Sequence, residues 1–395
     1  VSTPVLLLNC GSSSIKYKVV DADTEAVIVN GIIQRIGEES GTLDHKLEGE
    51  TVHVDRGFPS HARALNYLVR VFNAHGPDLE TIKAVGHRTV HGGERFRETV
   101  VIDEEVLEEL RELSPLAPLH NPPGIAGIEA ALDALPQVPH VAVFDTAFFS
   151  TLPREAYTYA INKELAIEHG IRKYGFHGTS HSFVSKRAAE FLGRDYGELK
   201  QIVCHLGNGA SVSAIDRGVA VDTSMGLTPL AGLVMGTRSG DVDPGLHAFL
   251  ARTLDMSIDE VDALLNKKSG MLGLAGVTDF RDINELIEEG DADAQLAMDV
   301  YCHRLLSYIG SYTAVLGGVD VLTFTAGVGE NDPLVRANIV GRLENLGFWL
   351  DPELNAVRSR EPRAISRAGS PVTVLVVPTN EELAMARETK QAIAG

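Results

Sequence analysis

Residues 6–20, LLLNCGSSSIKYKVV, run from apolar residues through a polar glycine–serine turn into an alternating segment. The same order returns at residues 202–216 in IVCHLGNGASVSAID. The apolar run ending at Leu8 predicts a buried strand, and the alternation Ile15, Tyr17, Val19 predicts a second strand beside it. Between them, Asn9-Cys10-Gly11-Ser12-Ser13-Ser14 offers backbone donors and hydroxyls with no packing purpose. The echo predicts a duplicated architecture, two related α/β halves that each open with a hairpin. The competing reading is that glycine and serine are simply common in hairpin turns.

The rest of the chain alternates strand and helix signals. Residues 61–75 place Leu65, Leu68, Val69 and Phe72 on one helical face. Residues 82–96 read as a short strand running into a polar loop, and VAVFD at 141–145 as a buried strand ending in a carboxylate. Asn121-Pro122-Pro123 reads as an N-cap followed by prolines in a first helical turn. Ser257 and Glu260 form a capping-box pair, and a long apolar helix covers 292–316. The segment DVLTFTAGVGEN then returns to strand and glycine turn, VTVLVV (372–377) is another strand, and a final helix follows.

At 395 residues the chain exceeds what one core usually supports, so two domains are expected. A formal charge of -19 argues against nucleic acid as a partner. An anionic small molecule must then meet a local cluster of arginine, lysine or metal. The three cysteines, Cys10, Cys204 and Cys302, make neither a disulfide framework nor a zinc knuckle, which fits a reducing cytoplasm. No secretory leader pattern opens the sequence and no apolar run reaches membrane-spanning length, so a cytoplasmic protein with no membrane partner is expected.

Three glycine-bearing turns need one explanation. Neither GxxxxGK[ST] nor GxGxxG opening a helix is present, which disfavours P-loop and dinucleotide folds. The first two turns lie between strands, where backbone N–H groups and hydroxyls can form an anion-binding nest. The third, TAGVGENDPLV at 325–335, follows a strand and precedes a helix marked by Asp332-Pro333. Glycine there lets the backbone approach a ligand closely. Such a set matches the nucleotide cleft of the actin, heat-shock ATPase and hexokinase superfamily. The segments NCGSSSIKY, GHRTVHGGE, APLHNPP, VFDTAFF, YGFHGTSH, HLGNGASV, TPLAGLVMGTRSGD, FTAGVGEN and PTNEEL, collinear from residue 9 to 382, resemble the successive signatures of the acetate kinase family.

That resemblance implies two duplicated ribonuclease-H-like lobes with an interlobe nucleotide cleft. The expected lobes are 1–147 with 381–395, and 148–380 as the nucleotide-binding lobe. The implied reaction is reversible phosphoryl transfer from ATP to acetate, giving acetyl phosphate and ADP, with Mg²⁺ (Mn²⁺ able to substitute) and a homodimeric enzyme. The resemblance gives Asp145, His177 and Arg238 as catalytic, and Arg88, Val90, Leu119, Phe176 and Pro229 as holding the acyl substrate. Phosphate contacts fall to Gly11, Ser12, Ser14, Lys16, His205, Leu206, Gly207, Asn208 and Gly209. The remaining nucleotide contacts fall to Asp279, Phe280, Arg281, Gly327, Val328, Gly329, Glu330 and Asn331, and the metal to Asn9 and Glu381. Phe149 stands where relatives often carry a polar residue.

The residues support this independently. Joining two anions requires cations, and a guanidinium can fork onto a carboxylate or phosphate. Arg88 and Arg238 stand in polar loops beside glycines. His177 and His181 are four apart, but the Glu that a zinc-binding HExxH would place between them is replaced by Gly178-Thr179-Ser180. His181, His120, His87 and His91 read as supporting groups. Asp145, ending a buried strand, must meet a cation or a metal-bound water, and is expected to position groups rather than act as a base. Glu381 lies in a first helical turn, where Thr379 and Glu382 can form a capping box. A propionate or other short-chain acyl kinase, or a sugar or polyol kinase with Asp145 as true base, are the rival readings. An ATPase interaction module is the non-enzymatic one.

Overall fold

The computed structural model describes residues 2–47, 49–117 and 121–394. The chain divides into two compact units, residues 1–150 with 380–395, and residues 151–379.

The first unit is built on an eight-stranded sheet, in the order β5-β4-β3-β2-β1-β6-β8-β7. Its strands are β1 (Pro4–Cys10), β2 (Ser14–Asp21), β3 (Val27–Gln34), β4 (Thr42–Leu47), β5 (Glu50–Asp55), β6 (Ala84–Thr89), β7 (Val100–Val101) and β8 (His140–Phe144). β1 and β2 pair antiparallel, with Leu8 opposite Tyr17 and Asn9 opposite Lys16. β1–β6 and β6–β8 pair parallel. Alternation in β2 sends Ile15, Tyr17 and Val19 into a core that also takes Leu65, Leu68 and Phe72 from helix His61–His75. Val69 is half-buried at the edge of that core. The Ser60 side chain caps the helix by accepting from the Arg63 amide.

The second unit has a six-stranded sheet ordered β11-β10-β9-β12-β14-β13. Its strands are β9 (Lys200–Leu206), β10 (Ala210–Asp216), β11 (Val219–Thr223), β12 (Val321–Thr325), β13 (Arg363–Ala364) and β14 (Thr373–Val376). β12 lies parallel between β9 and β14, with every residue buried, as a central parallel strand requires. In both units three antiparallel strands are followed by two added in parallel: β3-β2-β1-β6-β8 in one, β11-β10-β9-β12-β14 in the other. This is the duplication that the echoed hairpin predicts, in the ribonuclease-H-like form that the family resemblance implies.

The Ser257–Glu260 capping box is present, and helix Ala292–Leu316 runs from its Asp291 cap to a left-handed Gly317. Three local expectations are corrected. Asn121 lies within helix Asn121–Ala134 rather than capping it, its amide donating to Ala117 O and its side chain to His91 O. The glycine segment after β12 is a short helix, Ala326–Asn331, rather than an open turn. Helix Glu381–Ile393 is capped by Asn380, whose side chain accepts from the Leu383 amide; the Thr379 hydroxyl is held by Ser180 instead. Among the described residues, no helix is long and apolar enough to cross a membrane.

Candidate active site

In the second unit the β9–β10 turn is closed by Gly207 N–H donating to Gly209 O. Three side chains gather at its end. His177 ends the loop before helix Gly178–Leu192 in a left-handed conformation, φ 60°, and its ring stacks on His205 at 4.3 Å. A Cβ built on Gly209 would lie 3.4 Å from His177 Nε2 and 3.6 Å from an Arg238 terminal nitrogen, so Gly209, His177 and Arg238 meet at one spot. Arg238 donates to Pro229 O and contacts the Met235 sulfur, and burial lowers its pKa. Among the described residues no carboxylate lies within ion-pair distance of Arg238. A half-buried cation without an internal anion is a seat for an external one.

Beside this spot lies a cavity of about 790 Å³. Of the sequence-predicted nucleotide contacts, Gly207, Asn208, Asp279, Phe280, Arg281, Gly327, Val328 and Asn331 line it. Asp279 caps helix Phe280–Glu288 and binds Arg281, whose side chain first of all pulls the Asp279 pKa down to about 2. Phe280 packs edge-on against Tyr301 at 4.8 Å. The other predicted contacts are placed elsewhere. His205 and Leu206 are buried in the sheet, with His205 Nδ1 2.8 Å from Ser180 Oγ. Gly329 packs against Phe324 and Leu206. Glu330 turns inward, its carboxylate accepting from the Ala326 amide at 2.8 Å and the Thr379 amide at 3.1 Å. Sequence reasoning missed Gly236, Thr278, Asn284 and Arg358, which also line the cavity. Gly236 was legible as a motif glycine: a Cβ there would sit 2.0 Å from Asn208 Oδ1.

In the first unit, Arg88 on β6 forks onto Asp145, which follows β8, with Nε 3.1 Å from Oδ1 and a terminal nitrogen 2.8 Å from Oδ2. The Asp145 charge raises the Arg88 pKa above its already high value. A cavity of about 600 Å³ is lined by Asn9, Lys16, Arg88, Glu381 and Glu382, so both predicted metal ligands and Arg88 come together. Burial raises the Glu381 pKa, and Arg88 partly offsets that. Glu382 is tied to Lys18 at 2.8 Å. The Gly11 amide is spent within its turn on Ser14 O, while Ser12 is exposed and Ser14 half-buried. His87 faces His140 rather than the cavity, Nε2 to Nδ1 2.9 Å.

Of the predicted acyl pocket, Val90 is half-buried in the first unit, Phe176 is buried in the second, and Pro229 is half-buried against Arg238. Leu119, with His120, lies outside the described residues. Phe149 is buried and packs edge-on against Phe148.

The acetokinase family profile matches residues 4–387. An acetate kinase of Leifsonia xyli subsp. xyli is 55% identical over 392 residues, covering 99% of each chain. One from Thermotoga petrophila is 51% identical, covering 98% of each. Among solved structures, Porphyromonas gingivalis acetate kinase matches with a TM-score of 0.95 at 44% identity, covering 99% of this chain and 100% of that one. A propionate kinase from Francisella tularensis matches with a TM-score of 0.92 at 41% identity, over 98% and 99% of the two chains. This chain belongs to the acetokinase family.

Proposed function

We propose that this chain is an acetate kinase, moving the γ-phosphoryl group of ATP directly to acetate and giving acetyl phosphate and ADP. The observation that carries the reading is Arg238, a half-buried cation beside His177 and Gly209 with no acid of its own among the described residues. Two unit charges of like sign about 4 Å apart repel by about 4 kcal/mol at an effective dielectric of about 20, so cations must precede reaction. An acetate oxygen attacks the γ-phosphorus while the β–γ bridging oxygen leaves with its electron pair on ADP. No proton moves, because acetate is already ionised at neutral pH. Arg238 and His177 serve the equatorial oxygens of the phosphoryl group in flight, where charge spreads most. Arg88 serves the acetate carboxylate, with Asp145 fixing the guanidinium plane.

Residues 151–379 take the nucleotide, through Asn208, Gly327, Asn331 and their neighbours around the cavity. Mg²⁺ fits the first unit's donors: one carboxylate, Glu381, and one amide, Asn9, face the same space, and this ion keeps water and phosphate oxygens as its other ligands. When bound it supplies charge neutralisation to the transferring phosphate; Mn²⁺ meets the same donor set. The reading further takes the enzyme to be a cytoplasmic homodimer that excludes water during transfer.

A sugar or polyol kinase would use Asp145 as base, yet both its oxygens are already bonded by Arg88. Propionate is a closer rival, since one methylene discriminates by only about 1–3 kcal/mol. ADP release by the purified chain, measured with acetate, propionate, butyrate, glycerol and glucose, tests the reading. The highest kcat/KM is expected for acetate, declining with each added carbon. Turnover with glycerol or glucose and none with acetate would overturn it.

A further inference from the structure

Behind His177 runs an unbroken line of hydrogen bonds into the core of the second unit. His177 Nδ1 is 2.8 Å from Ser211 Oγ, which is 2.8 Å from His181 Nε2. His181 Nδ1 is in turn 2.7 Å from Ser213 Oγ. Ser211 and Ser213 are successive same-face residues of β10, and His181 lies one turn into helix Gly178–Leu192. Ser211, Ser213 and His181 are fully buried.

The proton count along this line permits two polarities. Burial holds the His181 pKa well below its ordinary value, so the ring is neutral and carries one N–H. If that hydrogen is on Nδ1, it donates to Ser213, Ser211 donates to His181 Nε2, and His177 must donate from Nδ1. The Ser213 hydroxyl hydrogen is then left over, since among the described residues Ser213 Oγ bonds to His181 Nδ1 alone. A buried O–H without an acceptor is the arrangement folded proteins avoid. If the hydrogen is on Nε2, every donor is used. Ser213 donates to His181 Nδ1, His181 Nε2–H donates to Ser211, and the Ser211 hydroxyl donates to His177 Nδ1. His177 in its neutral form then carries its own hydrogen on Nε2, the nitrogen that faces Gly209.

We propose that Ser213, His181 and Ser211 form a directional relay that fixes the Nε2–H tautomer of His177, presenting a hydrogen-bond donor to the transferring phosphoryl group. The three are positioning residues, and the step they serve rests on the reading of His177 given above. Nothing is transferred along the line during turnover; each hydroxyl and ring keeps its proton. The stacked His205, itself bonded to Ser180, supports the ring face without setting its tautomer.

The experiment is long-range ¹H–¹⁵N correlation of histidine-labelled full-length protein at pH 8, with His177→Asn used to assign the signal, alongside steady-state kinetics. In the wild type, His177 Nδ1 shows the shift of a bare acceptor nitrogen and Nε2 that of a protonated one. In Ser213→Ala the two shifts move toward a tautomer mixture and kcat falls roughly ten- to a hundredfold, the scale of losing a partner that orients a functional imidazole. KM for ATP and for acetate stay within about twofold, and Ser213→Thr, which keeps the hydroxyl, restores both readouts. A wild-type His177 protonated on Nδ1, or a tautomer unmoved by both Ser213→Ala and Ser211→Ala, overturns the relay. If the tautomer shifts as stated but His177→Asn keeps full kcat, the relay stands and the role given to His177 falls.

Discussion

Arg88 and Asp145 sit at the ends of adjacent parallel strands, β6 and β8, and the guanidinium holds both carboxylate oxygens. The Asp145 side chain is only 7% exposed, against 26% for Arg88, so the acid depends on the base for its solvation. Removing Arg88 alone strands a buried charge. Arg88→Met should lower unfolding stability by about 3 kcal/mol, and adding Asp145→Ala should recover part of that loss. Urea midpoints of the two singles and the double test this; strictly additive losses would contradict a coupled pair.

Among the described residues, Arg238 has no comparable acidic partner. Arg238→Ala should leave the urea midpoint nearly unchanged while lowering kcat by about 10²-fold or more, with a much smaller change in KM for ATP. Equal losses in kcat and in ATP binding would count against a role confined to the transferring group.

Gly236 protects the placement of Asn208. Because a Cβ at Gly236 would come within 2.0 Å of Asn208 Oδ1, Gly236→Ala should displace that side chain from the nucleotide cavity. KM for ATP should rise about tenfold, a loss of ~1.4 kcal/mol, with KM for acetate little changed. The reverse pattern would place Asn208 on the acyl side.

Glu381 makes a pH-dependent prediction. Burial raises its pKa above the ordinary 4.5, so the fold disfavours its ionised form. Its favourable contribution is therefore present at low pH and is lost as pH rises through the raised pKa. Glu381→Gln should raise Tm by a few degrees at pH 7 and by nothing near pH 4, while the Mg²⁺ concentration needed for half-maximal activity increases severalfold. A variant less stable at pH 7 than the wild type would show that Glu381 is satisfied without a cation.

The doubled sheet was legible because Leu6–Leu8 and Ile15–Val19 carry strand periodicity on either side of a turn, and residues 202–216 repeat it. Elements fixed by distant partners were not legible. Residues 326–331 read as a turn because a six-residue helix rich in glycine has little local propensity. It is held by Glu330 reaching back to the Ala326 amide and by Arg336 donating to Gly329 O. Thr379 read as a cap because its spacing to Glu382 suited one; Ser180, 199 residues earlier in the chain, takes its hydroxyl instead. The Arg88–Asp145 fork likewise depends on β6 and β8 being neighbours. Motif residues identified the chemistry of the candidate site, but which of them face a cavity was settled by packing, as Glu330 turning inward illustrates.

The group that receives the phosphoryl is a carboxylate. Purified chain incubated with acetate, ATP and Mg²⁺ in the presence of hydroxylamine tests it most directly, because only an acyl phosphate is trapped as a hydroxamate. Acetohydroxamate should form in step with ADP, and Arg238→Ala should slow both by the same factor, about 10²-fold or more. ADP released at an undiminished rate without hydroxamate would mean that the phosphoryl group goes to an acceptor other than acetate.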